Sequence, residues 1–110
     1  MFIAMNRFKV RRGEEAAFER IWSERDIYID RVPGFHAFHL LRGASGEGHT
    51  LYSTHTLWDD RAAFDAWTRS EAFENSHRNA GRGMSLVLGH PDFEGFDVLQ
   101  EVLPAESVAA

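Results

Sequence analysis

The chain has 110 residues and forms one domain, too small for a deep internal cavity, so a large ligand belongs in a surface cleft or at a subunit interface. Its net charge of −5, with no basic run or stripe, argues against nucleic acid as a partner. Cysteine is absent, which excludes a disulfide framework, thiolate ligation of a metal and a cysteine-bound iron–sulfur cluster.

Residues 2–10 (FIAMNRFKV) alternate as a strand does. Phe2, Ala4, Asn6, Phe8 and Val10 share one face; Ile3, Met5, Arg7 and Lys9 share the other. Gly13 marks a turn. Residues 14–32 carry Phe18, Ile21, Trp22, Tyr28, Ile29 and Val32 at roughly helical spacing, which predicts one helix ended by Pro33-Gly34. Residues 35–42 (FHAFHLLR) and 49–58 (HTLYSTHTLW) read as a hairpin around the glycine-rich turn 43–48. Asp59 or Asp60 caps the next helix, which starts near Arg61 with Phe64 and Trp67 on one side. Ser70 interrupts it, and a second helical piece runs from Glu71 to His77 or Asn79, with Phe73 and His77 one turn apart. Residues 78–92 read as a loop suited to a lid, residues 93–102 as a fourth strand, and 103–110 as a flexible tail after a single domain over 1–102.

The order β-α-β-β-α-β is the ferredoxin-like plan of the α+β class. Both helices cover one sheet face. The other face carries Ile3, Met5 and either Leu40 or Leu41, so a second copy is expected there, making a dimeric α/β barrel. The amino terminus lacks the pattern of a signal peptide, and no apolar run approaches the ~20 residues of a membrane span. The expectation is a cytoplasmic protein with no membrane partner.

Three residues stand out. Asn6 is the polar member of an otherwise apolar strand face; a backbone group or ordered water would satisfy its amide, or it donates into a pocket. Trp67 on a helix serves a core or lines a flat site. His77 lies on the apolar side of a helical turn beside Phe73, just before a glycine-rich loop, a placement that suits an axial ligand at the mouth of a cleft. The six histidines (36, 39, 49, 55, 77 and 90) include no i, i+4 helical pair and no HExxH, so a closed zinc site has little support. No GxSxG, P-loop or GxGxxG is present, and Glu14-Glu15 and Asp59-Asp60 read as caps and dipole partners.

The stretches AMNRFKVRRG, PGFHAFHLLR and TLWDDRAAFDAWTRSEAFENSH, with Asn6, Trp67 and His77 at their spacing, resemble the heme-degrading monooxygenases of the antibiotic biosynthesis monooxygenase superfamily. The resemblance runs from about Phe2 to Val102. It implies a distal amide at Asn6, a ring at Trp67 pressing on the porphyrin, and an axial iron ligand at His77. It implies heme as both cofactor and substrate, opened with O2 and electrons from an unidentified donor to a biliverdin-like tetrapyrrole, with release of iron. Arg25, Arg78 and Arg82 are candidates to pair with the heme propionates or are simply solvated; Phe64, Phe73 and Val87 line the pocket or pack the core. The alternatives are a cofactor-free monooxygenase of a quinol or polyketide, with His77 as base, and a non-enzymatic heme binder.

Overall fold

The computed structural model describes residues 1–25, 27–77 and 85–105. Its elements are β1 (Phe2–Arg11), α1 (Glu15–Glu24), β2 (Phe35–Ser45), β3 (His49–Trp58), α2 (Arg61–Thr68), α3 (Glu71–His77) and β4 (Asp92–Asp97). The sheet order is β2-β3-β1-β4, with every neighbouring pair antiparallel. This is the expected ferredoxin-like arrangement, with α2 and α3 sharing the place of the second helix.

Local chemistry sets most boundaries. The turn after β1 uses Gly13 at φ 90°, in the left-handed region, and its N–H donates to Glu15 Oε1 at 2.8 Å. Asp60, not Asp59, caps α2: its Oδ1 accepts from the Ala63 N–H at 2.8 Å. Ser70 makes the break between α2 and α3. Its Oγ donates to the Trp67 carbonyl at 2.6 Å and accepts from the Phe73 N–H at 3.1 Å, closing one helix and capping the next.

Three sequence expectations are corrected. The first helix ends at Glu24, because Arg25 is already extended (φ −84°, ψ 132°) and Tyr28 sits at φ 56°. Beyond Trp22 the apolar residues Ile27 and Ile29 recur every second position, and the β-branched side chains disfavour a helix. Both pack on the core from an irregular segment that Tyr28 bends at positive φ. The β2–β3 turn is narrower than 43–48, since β2 continues to Ser45 through an irregularity after Arg42. A Cβ at Gly43 would stand 3.3 Å from the Leu51 side chain, so this close strand approach favours glycine. β4 stops at Asp97 rather than at residue 102. Its sole partner among the described residues is β1, which begins opposite it at Phe2, and Leu99 beyond that point is 93% exposed. Of the expected tail, 106–110 lie outside the described residues.

The helix-side core comes in two clusters. Phe2, Ala4, Ile29, Trp58 and Trp67 form one; Val10, Phe18, Tyr52 and Val87 form the other. β1 contributes its ends to both, while its middle residues Asn6 and Phe8 are only half-buried. The interval between the clusters is the cleft described below.

Polar bonds join α1 to β2 and β3. The Tyr52 hydroxyl and the Arg42 guanidinium both donate to the Glu19 carboxylate, and Thr50 Oγ1 donates to Glu15 Oε2 at 2.7 Å. Burial first, and the Glu19 bond second, push the Tyr52 pKa up from 10.0 to about 12. The neutral phenol therefore stabilises the fold fully below pH 10, and this contribution is lost as pH rises toward 12. Tyr52→Phe should be less stable than the parent at neutral pH by about 1 kcal/mol. It should also lose less stability between pH 10 and 12, read from urea unfolding across that range.

Among the described residues, the opposite sheet face carries no helix. Ile3, Met5, Leu57 and Phe96 meet there across the strands, joined by Leu41, the member of the Leu40-Leu41 pair that faces outward. Leu41 is 40% and Phe96 47% exposed, whereas Leu40 packs against the second core cluster.

Candidate functional site

A cleft of about 450 Å³ opens between the sheet and the helices, within the range of small-molecule sites. The sheet supplies its floor: Ala4, Asn6 and Phe8 from β1, Thr54 and Thr56 from β3, Phe93 from β4. Phe18, Ile21 and Trp22 of α1 form one wall; Phe64 and Trp67 of α2 and Phe73 and His77 of α3 form the other.

The lining is predominantly aromatic. Trp22 stacks on Phe38 of β2 with centroids 5.8 Å apart, and Phe64 stacks on Phe93 at 5.5 Å. Trp67 is 6% exposed; it stacks on Trp58 at 6.3 Å and meets Phe73 edge-on at 5.3 Å. Most of its surface thus serves the core, and the remainder gives the cleft a wall that cannot move without disturbing Trp58. Flat aromatic walls of this kind favour a flat apolar ligand.

Asn6 is the polar exception on this floor. It stands opposite Thr54 on β3 and Phe93 on β4, and no protein group among the described residues takes its side-chain amide. Among the described residues neither the backbone nor a side chain satisfies it, so the amide faces the contents of the cleft.

His77 ends α3. Its ring stacks on Phe73 at 4.0 Å, and its Nδ1 lies 2.9 Å from the Phe73 carbonyl oxygen. A carbonyl only accepts, so this contact places a proton on Nδ1. Partial burial is the main cause that lowers the His77 pKa below the ordinary histidine value; the Phe73 bond raises it, and the Arg25 charge lowers it further. At neutral pH the ring is therefore a neutral nitrogen donor of fixed tautomer. This is the form a metal requires, with the outer nitrogen oriented by a carbonyl.

Arg25 also borders the cleft, its guanidinium 4.7 Å from the Trp22 ring centre. Burial lowers its pKa, and it remains a cation at neutral pH. The structure thus brings Asn6, Arg25, Phe64, Trp67, Phe73, His77 and Val87 to one cleft. Val87 comes from the segment expected as a lid: it is buried, bridges to Val10, and the neighbouring Leu88 N–H donates to the Lys9 carbonyl at 2.7 Å. Arg78 and Arg82 lie outside the described residues.

Sequence reasoning missed Phe8, Trp22, Phe38, Thr54 and Phe93. Phe8 was accessible through its shared face with Asn6. Trp22 was accessible because it precedes Arg25 by three residues on the stripe of α1.

Residues 1–79 match the family model for antibiotic biosynthesis monooxygenase. The chain belongs to the antibiotic biosynthesis monooxygenase family. A heme-degrading monooxygenase of Shouchella clausii (strain KSM-K16) is 29% identical over 102 residues, covering 89% of this chain and 90% of the relative. A staphylobilin-producing heme oxygenase of Staphylococcus haemolyticus (strain JCSC1435) is 26% identical over 85 residues, covering 77% of this chain and 81% of its own. Among solved structures, the heme degrader MhuD of Mycobacterium tuberculosis, with two hemes bound in its active site, superposes with a TM-score of 0.68 at 22% identity, covering 93% of this chain and 99% of MhuD. SnoaB, a cofactor-independent oxygenase of Streptomyces nogalater, superposes with a TM-score of 0.66 at 25% identity, covering 94% of this chain and 97% of SnoaB. The family thus holds oxygenases with and without heme on one scaffold. No helix among the described residues is long and apolar enough to cross a membrane.

Proposed function

We propose that this chain is a heme-degrading monooxygenase that takes heme as cofactor and substrate. The observation that carries the reading is the state of His77: a neutral imidazole of fixed tautomer at the edge of an aromatic cleft that it shares with Asn6. Two named heme degraders among its relatives support it. Heme bound here supplies the iron at which O2 and electrons open the macrocycle to a biliverdin-like tetrapyrrole with release of iron.

The residues of the chain divide the remaining work. His77 Nε2 holds the iron, and the Phe73 carbonyl keeps the ring turned for it. Trp67, held by Trp58 and Phe73, would meet the face of the macrocycle, where protein contacts tune heme. Arg25 pairs with a propionate, its planar cation suited to a carboxylate. The aromatic walls exclude water. Asn6 donates a hydrogen bond across the floor of the cleft without titrating, so its contribution holds across pH. Asn6→Ala should keep hemin affinity within about tenfold yet slow ring opening about a hundredfold, as loss of one well-placed donor does. Anaerobic hemin titration, followed by turnover with ascorbate in air, separates the two effects. Equal turnover in the variant removes Asn6 from the chemistry.

A neutral His77 also suits a general base, which keeps the cofactor-free oxygenase as the second reading, with SnoaB as its precedent in fold. That reading requires no hemin affinity. The open sheet face, with Ile3, Met5, Leu41 and Phe96, receives the same face of a second copy, giving a homodimeric barrel in the cytoplasm. Sedimentation at micromolar concentration should give the mass of two chains; a monomer there refutes the barrel.

A further inference from the structure

His39 on β2 and His55 on β3 stand directly opposite each other. They lie on the helix-free face of the sheet: His55 faces Met5 across the β1–β3 ladder, while its neighbours Thr54 and Thr56 line the cleft on the other side. Their Nδ1 atoms are 3.4 Å apart and their ring centres 5.5 Å apart. Two nitrogens bound at about 2.0–2.1 Å to one tetrahedral ion stand about 3.3–3.4 Å apart. The observed separation matches that of two ligands of one metal, and in the metal-free chain one Nδ1 donates a hydrogen bond to the other.

We propose that His39 and His55 form a chelating site for a divalent transition metal of the zinc and copper class, separate from the heme cleft. Paired imidazoles select such ions over magnesium and calcium, which prefer oxygen. The two side chains start from adjacent, hydrogen-bonded strands, so little further ordering accompanies binding. No group of three or more metal-ligating side chains gathers anywhere among the described residues. The remaining coordination positions therefore go to water or to ligands from outside one chain. A second copy docked on this face would bring its own pair to the same interface. Zinc then binds at one ion per chain or one per two chains, and either count fits the site if it depends on both histidines.

The test is a titration of the heme-free full chain with Zn2+ against a fluorescent zinc chelator, beside His39→Gln, His55→Gln and, as a control, His36→Gln. The site requires each of the first two variants to weaken zinc binding at least about tenfold, with His36→Gln unchanged. Their far-ultraviolet circular dichroism should match the parent. A second readout needs no variant: in the unmutated chain, Zn2+ should shift the Nδ1 resonances of His39 and His55. Equal zinc affinity in both variants, or zinc-induced shifts confined to other histidines, overturns the proposal.

Discussion

His77→Ala should bind hemin at least about tenfold more weakly than the parent chain, lose its ring-opening turnover, and regain part of the hemin spectrum when imidazole is added. The expectation rests on the tautomer. With Nδ1–H committed to the Phe73 carbonyl, Nε2 is the ring's donor nitrogen, and no other histidine borders the cleft. Its pH dependence follows with a definite sign. Burial lowers the His77 pKa, so the neutral, ligating form survives as pH falls through the ordinary histidine range near about 6.5. Hemin affinity should hold through that range and fall only below it. An affinity that already declines on acidification toward pH 7 would mean that the ligand lies elsewhere. Rescue by imidazole separates loss of the ligand from loss of the fold.

Trp58→Ala should destabilise the domain by about 3–5 kcal/mol, the usual loss for deleting a buried tryptophan. Trp58 is completely buried, stands 5.6 Å from Phe35, 5.9 Å from Phe64 and 6.3 Å from Trp67, and donates its indole N–H to Thr56 Oγ1 at 2.9 Å. At about 4–8 °C per kcal/mol for a domain near this size, the melting temperature should drop by about 12 °C or more. Trp58→Phe keeps the ring contact, loses only the indole bond and part of the volume, and should fall between the two. The effect also reaches the site, because Trp58 backs the wall formed by Trp67. Hemin affinity of Trp58→Phe should decline although residue 58 does not line the cleft. Calorimetry that finds Trp58→Ala as stable as the parent would remove Trp58 from the core as described.

The fold was legible in the sequence wherever one period dominated. β3 begins and ends at residues 49 and 58 as its alternation indicates, and Ser70 divides α2 from α3 because its side chain satisfies backbone groups on both sides. It was illegible where two periods overlapped. From Trp22 to Val32 apolar residues fit a helical stripe loosely, and Tyr28 at positive φ is a tertiary outcome that spacing does not encode. The end of β4 depended on its partner: residues 98–102 are apolar enough for a strand but lie past the start of β1. The site divides in the same way. Asn6, Trp67 and His77 stood out by residue type and were joined into one site by the family resemblance, and the structure brings them to one cleft. The α1–β2 wall, Trp22 on Phe38, joins residues 16 positions apart whose meeting depends on the crossover between them. The His39–His55 pair was likewise hidden, since a search for i, i+4 spacing on one element does not see two strands in register.

The most direct test of the central claim is optical: titrate the full chain with hemin, then add ascorbate in air with catalase present to remove free peroxide. Heme degradation predicts an equimolar Soret band that decays on reduction into the long-wavelength absorption of a bilin. A band that forms, is reduced and persists would make the protein a heme carrier. Failure to form any band would contradict His77 as an iron ligand and move the chain to the cofactor-free oxygenases of its family.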